Sequence, residues 1–419
     1  MVLVFCLSSR PFAEDVDSSE ESGVEGTGTA ESADGTDLSK LFELKFAESV
    51  KVKLGAGART SLRLNKPEGG NWNENINLDN VRLYLNAQAL GWIGLEVNTD
   101  IGNAQGFENA ATGFEEAGNV RILDAVAKIE PCEYFNVWLG RMLPPSDRAN
   151  LSGPYYSNVW DFPYVQFGYP NIFQGRDDGV AIWGQLGKEK LKFTQFKWQL
   201  GVFEGNQGRG AADPNNDDNI MYTGRLVLNF LDEEPGYYNS STYYGEKDIL
   251  GFGVAAMHQE DAVGLQGAEG SFTGFNFDLL FEKKLTSELV GDVGGLTDGV
   301  FTLDAAYYDF DDDNAFVADT LGLFTPVMRQ GESYFVTVAY LIPGAVGYGD
   351  FKGRFQPFYR YQNYDRDVPT AGQDEEGHDA GVHYVFDGHN ARFSLVYQAR
   401  DQGPAPDIHT VLMGAQLQF

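Results

Sequence analysis

The closing residues of the chain alternate between apolar and mostly polar positions. One face of this segment carries five apolar residues, Val411, Met413, Ala415, Leu417 and Phe419. The other face carries Thr410, Leu412, Gly414, Gln416 and Gln418. A repeat of two residues is the periodicity of a β-strand, so the pattern predicts a strand with one apolar face that ends on an aromatic residue.

The same alternation recurs along the chain in segments of about ten residues, the length of a barrel strand that crosses a membrane. We count sixteen segments: 50–63, 79–89, 92–101, 118–130, 135–143, 177–186, 191–204, 219–230, 248–259, 271–283, 298–309, 331–341, 351–364, 378–387, 390–400 and 409–419. Alternately short and long breaks predict tight turns at one end of a barrel and long loops at the other. An even count returns both ends of the barrel to the same side of the membrane.

Two connections on the side of the short turns, 231–247 and 284–297, are longer than this rule predicts. A miscount by one hairpin would give fourteen or eighteen strands, so these counts stay open beside sixteen. The strands of a soluble β-sandwich or propeller would also alternate. The signal-like start and the aromatic C-terminus favour an all-β transmembrane antiparallel β-barrel of sixteen strands, in one domain over residues 47–419.

Two segments precede this domain. Residues 1–13 are a short apolar run that resembles a secretory signal peptide without its basic start, and a misplaced start codon would explain that loss. Residues 14–46 are acidic, with nine acids and no lysine or arginine between Glu14 and Asp37. Such a tract cannot bury enough apolar surface to fold, which predicts a disordered periplasmic tail.

Composition narrows the function classes. A net charge of −31 argues against nucleic acid as a partner. The mean hydropathy of −0.31 argues against a helical membrane protein but not against a barrel, whose strands turn half of their residues away from lipid. The sequence contains no CxxCH, G-x-S-x-G, HExxH, Walker or dinucleotide motif, so we expect no enzyme activity and no cofactor or metal.

The strand period assigns each residue to lipid or to lumen. Among the cations on the lumen face, which also include Lys51, Lys53, Arg63 and Arg400, seven are expected to line the pore: Arg59, Arg82, Lys197, Arg225, Arg354, Arg360 and Arg392. Acids that include Glu96, Asp124, Asp278 and Asp379 fall there too. Two interpretations stay open. The arginines pair with cross-strand carboxylates and stiffen the wall, or they line a path for anions, whose oxygens suit guanidinium groups.

A long break, residues 144–176, is rich in aromatic residues and contains five prolines. Loops of this length are rarely structureless inside compact proteins. We expect this loop to fold into the barrel and narrow the lumen, through Asp147, Arg148, Tyr155, Trp160, Asp161 and Arg176. The alternative is that it packs outside the barrel at a subunit contact.

Three short motifs resemble a known family. Residues 140–145 (GRMLPP) resemble the G-K/R-x-x-P-P segment of the phosphate-selective porins O and P. Residues 174–180 (QGRDDGV) resemble that family's R-D-x-G-V strand entry, and residues 201–205 (GVFEG) are similar to its F-x-G strand end. The motifs occur in the family's order, and the resemblance spans residues 47–419.

This resemblance implies a sixteen-stranded, usually trimeric outer-membrane channel with basic residues in its lumen. Arg82 lies where the family's early strand carries an arginine. The family also places lysines and arginines on inward loops, whereas loop 144–176 offers only Arg148 and Arg176 against Asp147 and Asp161. This departure favours weak or general anion selectivity over tight phosphate binding.

The sequence therefore predicts a porin in the bacterial outer membrane, through which small hydrophilic solutes diffuse passively, with an anion preference. Its expected partners are outer-membrane lipid and lipopolysaccharide, small anionic solutes, and two further copies in a homotrimer. The alternative is a scaffold barrel that sheathes a partner protein in an outer-membrane electron-transfer conduit. No haem motif lies in this chain, so such a partner would supply the haem.

Overall fold

Sixteen antiparallel strands form a closed barrel, as predicted from the alternation. The computed structural model describes residues 43–47, 50–101, 120–167, 175–192, 194–205, 219–265, 268–290, 297–313, 330–349, 351–367, 374–403 and 405–419. The strands are β1 (Val50–Pro67), β2 (Asn73–Ala89), β3 (Ile93–Ile101), β4 (Val120–Cys132), β5 (Phe135–Met142), β6 (Asp177–Leu186), β7 (Gln195–Phe203), β8 (Met221–Asn229), β9 (Ile249–Leu265), β10 (Ala268–Lys284), β11 (Val300–Asp311), β12 (Gly331–Leu341), β13 (Phe351–Arg366), β14 (Glu375–Asp387), β15 (Ala391–Gln402) and β16 (Ala405–Gln418). Each of these strands pairs with the next along the chain, and an additional short strand, Val346–Tyr348, pairs with the start of β13.

The barrel closes between its last and first strands. β16 pairs with β1 from Ile408↔Pro67 to Gln418↔Gly57, and the backbone of Phe419 exchanges two 2.9 Å hydrogen bonds with Ala56. A short strand, Glu43–Ala47, then takes the edge of β1 that β16 leaves open. This strand begins before the predicted domain boundary at residue 47. Residues 1–42, which include the predicted signal peptide and most of the acidic tail, lie outside the described residues.

The inward and outward faces follow the predicted parity. In β8, Met221, Thr223 and Arg225 are buried inside the barrel, while the outward Tyr222 and Leu226 are about half exposed. A β-bulge at Asp79 changes the parity of β2, since Arg59 pairs with Asn80 but Thr60 pairs with Leu78. One extra residue in a strand shifts all following side chains to the opposite face.

This bulge explains an error in the sequence-based boundaries. Residues 64–78 were predicted to be a long break, yet β1 continues to Pro67 and β2 begins at Asn73. Ile76 and Leu78, on the far side of the bulge, face outward and are exposed. Even-numbered residues therefore face outward there, whereas odd-numbered residues such as Leu83 face outward after the bulge. A fixed period of two cannot follow a strand across a bulge.

Short helices occur only in the connections among the described residues. They are α1 (Arg148–Ser152), α2 (Lys188–Leu191) and α3 (Ser287–Val290), with a 3₁₀ turn at Tyr164–Phe167. None of the helices in the described part of the chain is long and apolar enough to cross a membrane.

Two connections occupy the interior of the barrel. The first insert, of which residues 144–167 and 175–176 are described, enters from the end opposite the C-terminus. The second insert, residues 230–248, enters from the end that holds the C-terminus. Tyr155 and Trp160 of the first insert and Tyr237 of the second are buried. The inward wall is therefore less polar than predicted where the inserts pack, because Trp138 and Phe358 face them rather than water.

Aromatic residues are distributed unevenly over the outward surface. The described residues of β1, β3 and β4 include no Phe, Tyr or Trp, and β2 has only Tyr84, which lines the interior. Exposed outward aromatics lie on β8 to β15: Tyr222, Phe252, Phe277, Tyr334, Phe355, Tyr359, Phe393 and Tyr397. Aromatic girdles mark where a barrel meets the membrane interfaces. The outward faces of strands β1–β4 have none among the described residues, although Trp72 and Trp92 lie in the turns that join these strands.

We predict that Val336→Arg lowers the free energy of unfolding by about 2–4 kcal/mol, because it puts a charge on the outward face near the middle of β12. Equilibrium urea unfolding in lipid vesicles, followed by tryptophan fluorescence, measures this loss. Val336→Leu is the matched control and should stay close to the unmutated chain. Equal stability of the arginine and leucine variants would contradict the outward assignment of this residue.

Candidate functional site

The first insert begins with a capped helix that packs inside the barrel. The side chain of Asp147 accepts a 3.0 Å hydrogen bond from the backbone of Asn150, which caps α1. Tyr308 of β11 donates to the same carboxylate at 2.9 Å. The backbone N–H of Arg148 donates to Asp278 of β10 at 3.3 Å. These bonds attach the helix to the wall formed by β10 and β11.

The middle of the first insert fits against two glycines of the barrel wall. A Cβ atom at Gly57 would lie 2.9 Å from the ring of Tyr155, and one at Gly414 would lie 2.7 Å from the ring of Trp160. Arg59 donates a 2.7 Å hydrogen bond to the Trp160 carbonyl, and its guanidinium lies 4.1 Å from the indole centre. Both aromatic rings therefore depend on glycine at these wall positions.

The far end of the first insert is held by arginines of the opposite wall. Arg63 donates two hydrogen bonds to Asp161, at 3.0 and 2.7 Å. Arg360 donates to the Asp161 carbonyl at 2.8 Å, and Arg392 donates to the Ser157 carbonyl at 2.8 Å. Burial would raise the pKa of Asp161, but the charge and hydrogen bonds of Arg63 outweigh it and lower the pKa to about 2.

The second insert is joined to the first by a buried ion pair. Arg148 donates two hydrogen bonds to Glu234, at 2.7 and 2.8 Å, and both side chains are about 1% exposed. Arg148 also donates to the Ser240 carbonyl at 2.8 Å. Burial would raise the pKa of Glu234, but the adjacent Arg148 lowers it to about 2. The carboxylate therefore stays ionised in the folded protein.

A carboxylate of the wall also binds the second insert. Glu282 of β10 accepts hydrogen bonds from the hydroxyl of Thr242 at 2.7 Å and from the backbone N–H groups of Tyr243 and Gly245 at 3.0 Å. On the other side of the lumen, the ring of Tyr237 stacks on Trp138 with 4.5 Å between their centres. The second insert is thus fixed across the full width of the barrel.

His389, in the turn between β14 and β15, contacts both inserts. Its Nδ1 lies 3.1 Å from the Tyr155 carbonyl oxygen, and its Nε2 lies 2.8 Å from that of Thr242. Burial, and then the charge of Arg392, lowers the pKa of His389 to about 4. The imidazole is therefore neutral at ordinary pH and donates to one of the two carbonyls.

Most of the predicted lumen cations are buried beneath the inserts. Arg225 binds Asp278 at 2.5 and 2.9 Å, across a glycine of the intervening strand, and Arg360 binds its cross-strand neighbour Asp379 at 2.7 Å. Lys197 is buried as well. Arg354 is half-buried and donates to the Tyr244 carbonyl at 3.2 Å. For Arg225 and Arg360, the structure agrees with the interpretation that carboxylate pairing stiffens the wall.

The inserts leave a cavity of about 700 Å³ against β1–β4. Of the predicted site residues, Arg82 and Arg176 line it, and Arg176 forms a 3.2 Å ion pair with Asp124. Lys53 also lines it. Among the described residues no three His, Cys, Asp or Glu side chains are grouped closely enough to hold a metal ion.

Sequence reasoning missed the second insert as part of the site. Glu234, Tyr238 and Tyr243 line the cavity. From the sequence, however, the length of 231–247 was interpreted only as a reason why the strand count could be fourteen or eighteen. The available signal was composition, since this connection is long, rich in tyrosine and placed where the barrel pattern predicts a tight turn. A long connection at the short-turn end of a barrel is a candidate insert.

We predict that Arg148→Met lowers the free energy of unfolding by about 3–5 kcal/mol near pH 7, because it leaves the buried carboxylate of Glu234 without its cation. In the unmutated chain the pKa of Glu234 in the folded state, about 2, lies below the ordinary value of 4.5 for a glutamic acid, so this stabilisation is complete above about pH 4.5. It is lost as the pH falls towards 2. Urea unfolding between pH 3 and pH 7 measures both effects.

Glu246→Gln is the matched control, because Glu246 belongs to the same insert but is exposed. Its stability should change by less than about 0.5 kcal/mol. If Arg148→Met kept the acid-dependent loss of the unmutated chain, Arg148 would not be the source of the low pKa of Glu234.

Comparison with known proteins supports the fold. No family model and no curated protein matches the chain. Among solved structures, Salmonella typhi OmpF in complex with daunomycin is 13% identical, with a TM-score of 0.52 over 90% of this chain and 100% of that one. The outer membrane channel DcaP of Acinetobacter baumannii is 14% identical, with a TM-score of 0.51 over 90% of this chain and 99% of that one.

At these identities the likeness shows the fold alone. The chain has the sixteen-stranded fold of outer-membrane porins, and its outward face carries many exposed large apolar residues. Closed barrels of this kind span the bacterial outer membrane. The protein is therefore a β-barrel of the bacterial outer membrane.

Proposed function

We propose that this protein is a passive diffusion channel for small hydrophilic solutes that prefers anions. The proposal rests on the positive charge of the cavity wall that no close ion pair neutralises. Of the four carboxylates that line the cavity, three are ion-paired: Glu96 with Lys128, Asp124 with Arg176 and Glu234 with Arg148. Arg82 and Lys53 form no ion pair within 4 Å among the side chains that the structure describes. Their cross-strand neighbours are nevertheless acidic, Asp100 opposite Arg82 and Glu43 opposite Lys53, so the excess of positive charge is modest.

Charge close to a narrow path acts more strongly on a solute than charge on distant loops. Beyond about 8 Å an exposed charge is largely screened at physiological salt. The net charge of −31 is therefore a poor guide to selectivity, whereas Arg82 and Lys53 lie on the path itself. The resemblance to phosphate-selective porins supports the same preference, and the paired state of Arg148 and Arg176 favours general anion selectivity over tight phosphate binding.

The alternative, a scaffold around a partner protein, requires an open lumen. Here the inserts cross the barrel from β1 to β11 and are bonded to both walls. The remaining cavity of about 700 Å³ suits a small molecule rather than a folded protein. The filled lumen therefore favours a channel for small solutes.

We predict that a salt gradient across a planar bilayer gives a reversal potential of the sign expected for chloride preference. Lys53→Glu should shift the chloride-to-potassium permeability ratio towards potassium by a factor of about two or more, because a charge on the path is only weakly screened. Lys51→Gln is the control, since Lys51 is on the same face of β1 but does not line the cavity. Clear potassium preference of the unmutated channel would refute the proposal.

We also propose that the channel is a homotrimer whose subunits meet through the sector β1–β4. A barrel face that contacts lipid carries aromatic residues at both interfaces. The outward faces of β8–β15 carry such residues, and we assign them to lipid and lipopolysaccharide. The sector β1–β4 presents aliphatic residues instead, such as Leu83 and Leu95. A second copy of the chain would cover this sector in a closed, symmetric assembly.

For this assembly we predict that Ala87→Trp, on the outward face of β2, converts the trimer to monomer, because the large ring prevents close approach of two sheets. Ala256→Trp, on the outward face of β9, is the matched control and should leave the trimer intact. Native mass spectrometry in detergent measures the state. Dissociation by the β9 variant alone would place the contact elsewhere.

The two leading segments complete the proposal. Residues 1–13 direct export, and residues 14–46 form an acidic segment on the periplasmic side, whose last residues belong to the short strand that pairs with β1.

A further inference from the structure

We propose that the cavity beside β1–β4 is a saturable binding site for organic anions that carry a flat aromatic part, such as aromatic carboxylates. This inference rests on the proposed channel function and names the class of solute that the channel takes. It combines two features of the cavity. One is Arg82, which the proposed anion preference also uses and which forms no ion pair within 4 Å among the described side chains, and the other is a group of tyrosine rings.

Arg82 supplies the anion-binding group. Its side chain is 8% exposed, and its Nε has no hydrogen-bond partner among the described residues. The guanidinium carbon lies 5.3 Å from the centre of the Tyr155 ring, which restrains the plane of the group. A buried guanidinium that forms no close ion pair is unusual, because buried charges are normally paired. The carboxylate of its cross-strand neighbour Asp100 instead accepts hydrogen bonds from the Asn80 side chain and the Val81 backbone. The planar donors of arginine match the two oxygens of a carboxylate.

Four tyrosines supply the aromatic part of the site. Tyr84, Tyr156, Tyr238 and Tyr243 all line the cavity, and Tyr156 is 44% exposed. Tyr84 comes from the wall, Tyr156 from the first insert, and Tyr238 and Tyr243 from the second. Rings prefer to stack on, or meet edge to face, another ring. The inserts therefore converge to build an aromatic enclosure next to the single unpaired guanidinium of the described lining.

The size and charge of the cavity exclude two other classes of ligand. A volume of about 700 Å³ is in the range of sites for small organic molecules, and it exceeds what an inorganic anion would fill. Cations have only Glu246 to bind, since the other three lining carboxylates, Glu96, Asp124 and Glu234, are already paired with lysine or arginine. A flat organic anion satisfies both the arginine and the rings.

Single-channel recording in potassium chloride tests the inference. Sodium benzoate should reduce the current in a saturable manner at millimolar concentration, whereas sodium acetate and sodium phosphate should have no such effect at equal concentration. Arg82→Gln should raise the half-blocking concentration of benzoate about tenfold, the loss of one charged contact. Tyr156→Ala should raise it as well, and Lys51→Gln should leave it unchanged.

The outcomes separate the inference from the proposed function. If neither the unmutated protein nor any variant conducts potassium chloride, the proposed channel function is wrong. If the channel conducts but acetate or phosphate blocks as strongly as benzoate, the cavity is a general anion site and the aromatic class is wrong. If benzoate blocks the unmutated channel and Arg82→Gln equally, the guanidinium does not bind it. Retained chloride conductance in Arg82→Gln shows that this variant folds.

Discussion

The guanidinium of Arg148 joins three separate parts of the molecule. It binds Glu234 of the second insert through two short hydrogen bonds, lies 3.7 Å from Asp278 of the wall, and belongs to the helix that opens the first insert. Asp278 in turn binds Arg225. None of these charges is exposed by more than about 1%. Removing one member would leave the others uncompensated in a low-dielectric interior, so the network fixes both inserts in one position.

This network changes the meaning of basic residues in the lumen. An arginine on the inward face has two possible uses, to hold a carboxylate or carbonyl of the chain or to meet a solute. Arg59, Arg360 and Arg392 have the first use, because their donors reach the backbone of the first insert. Arg82 is left for the second. Selectivity therefore depends on which charges remain after pairing, rather than on how many face inward.

The sequence predicted the barrel well because the strand period depends on local chemistry. Each residue must suit either lipid or the interior, so Arg225 and Leu226 reveal their faces without any knowledge of the fold. The inserts were harder. The inward direction of residues 144–176 followed from their length and aromatic content, but the contact of Arg148 with Glu234 joins positions far apart in the chain. No periodic pattern encodes such a contact. Bulges such as that at Asp79 were missed for a related reason, since one extra residue leaves no local signal.

The position of the cavity connects the two proposals about this channel. The inserts pack against β10, β11 and β13–β16 and, through Arg59 and Arg63, against part of β1. The space that they leave lies beside the start of β1 and the neighbouring parts of β2–β4. The same sector lacks outward aromatics, and we assign it to the contact between subunits. The wall that separates the path from its surroundings would then be supported by a neighbouring barrel rather than by fluid lipid. Support of this kind keeps Arg82 and Tyr84 in fixed positions, which a site that recognises the shape of a solute requires.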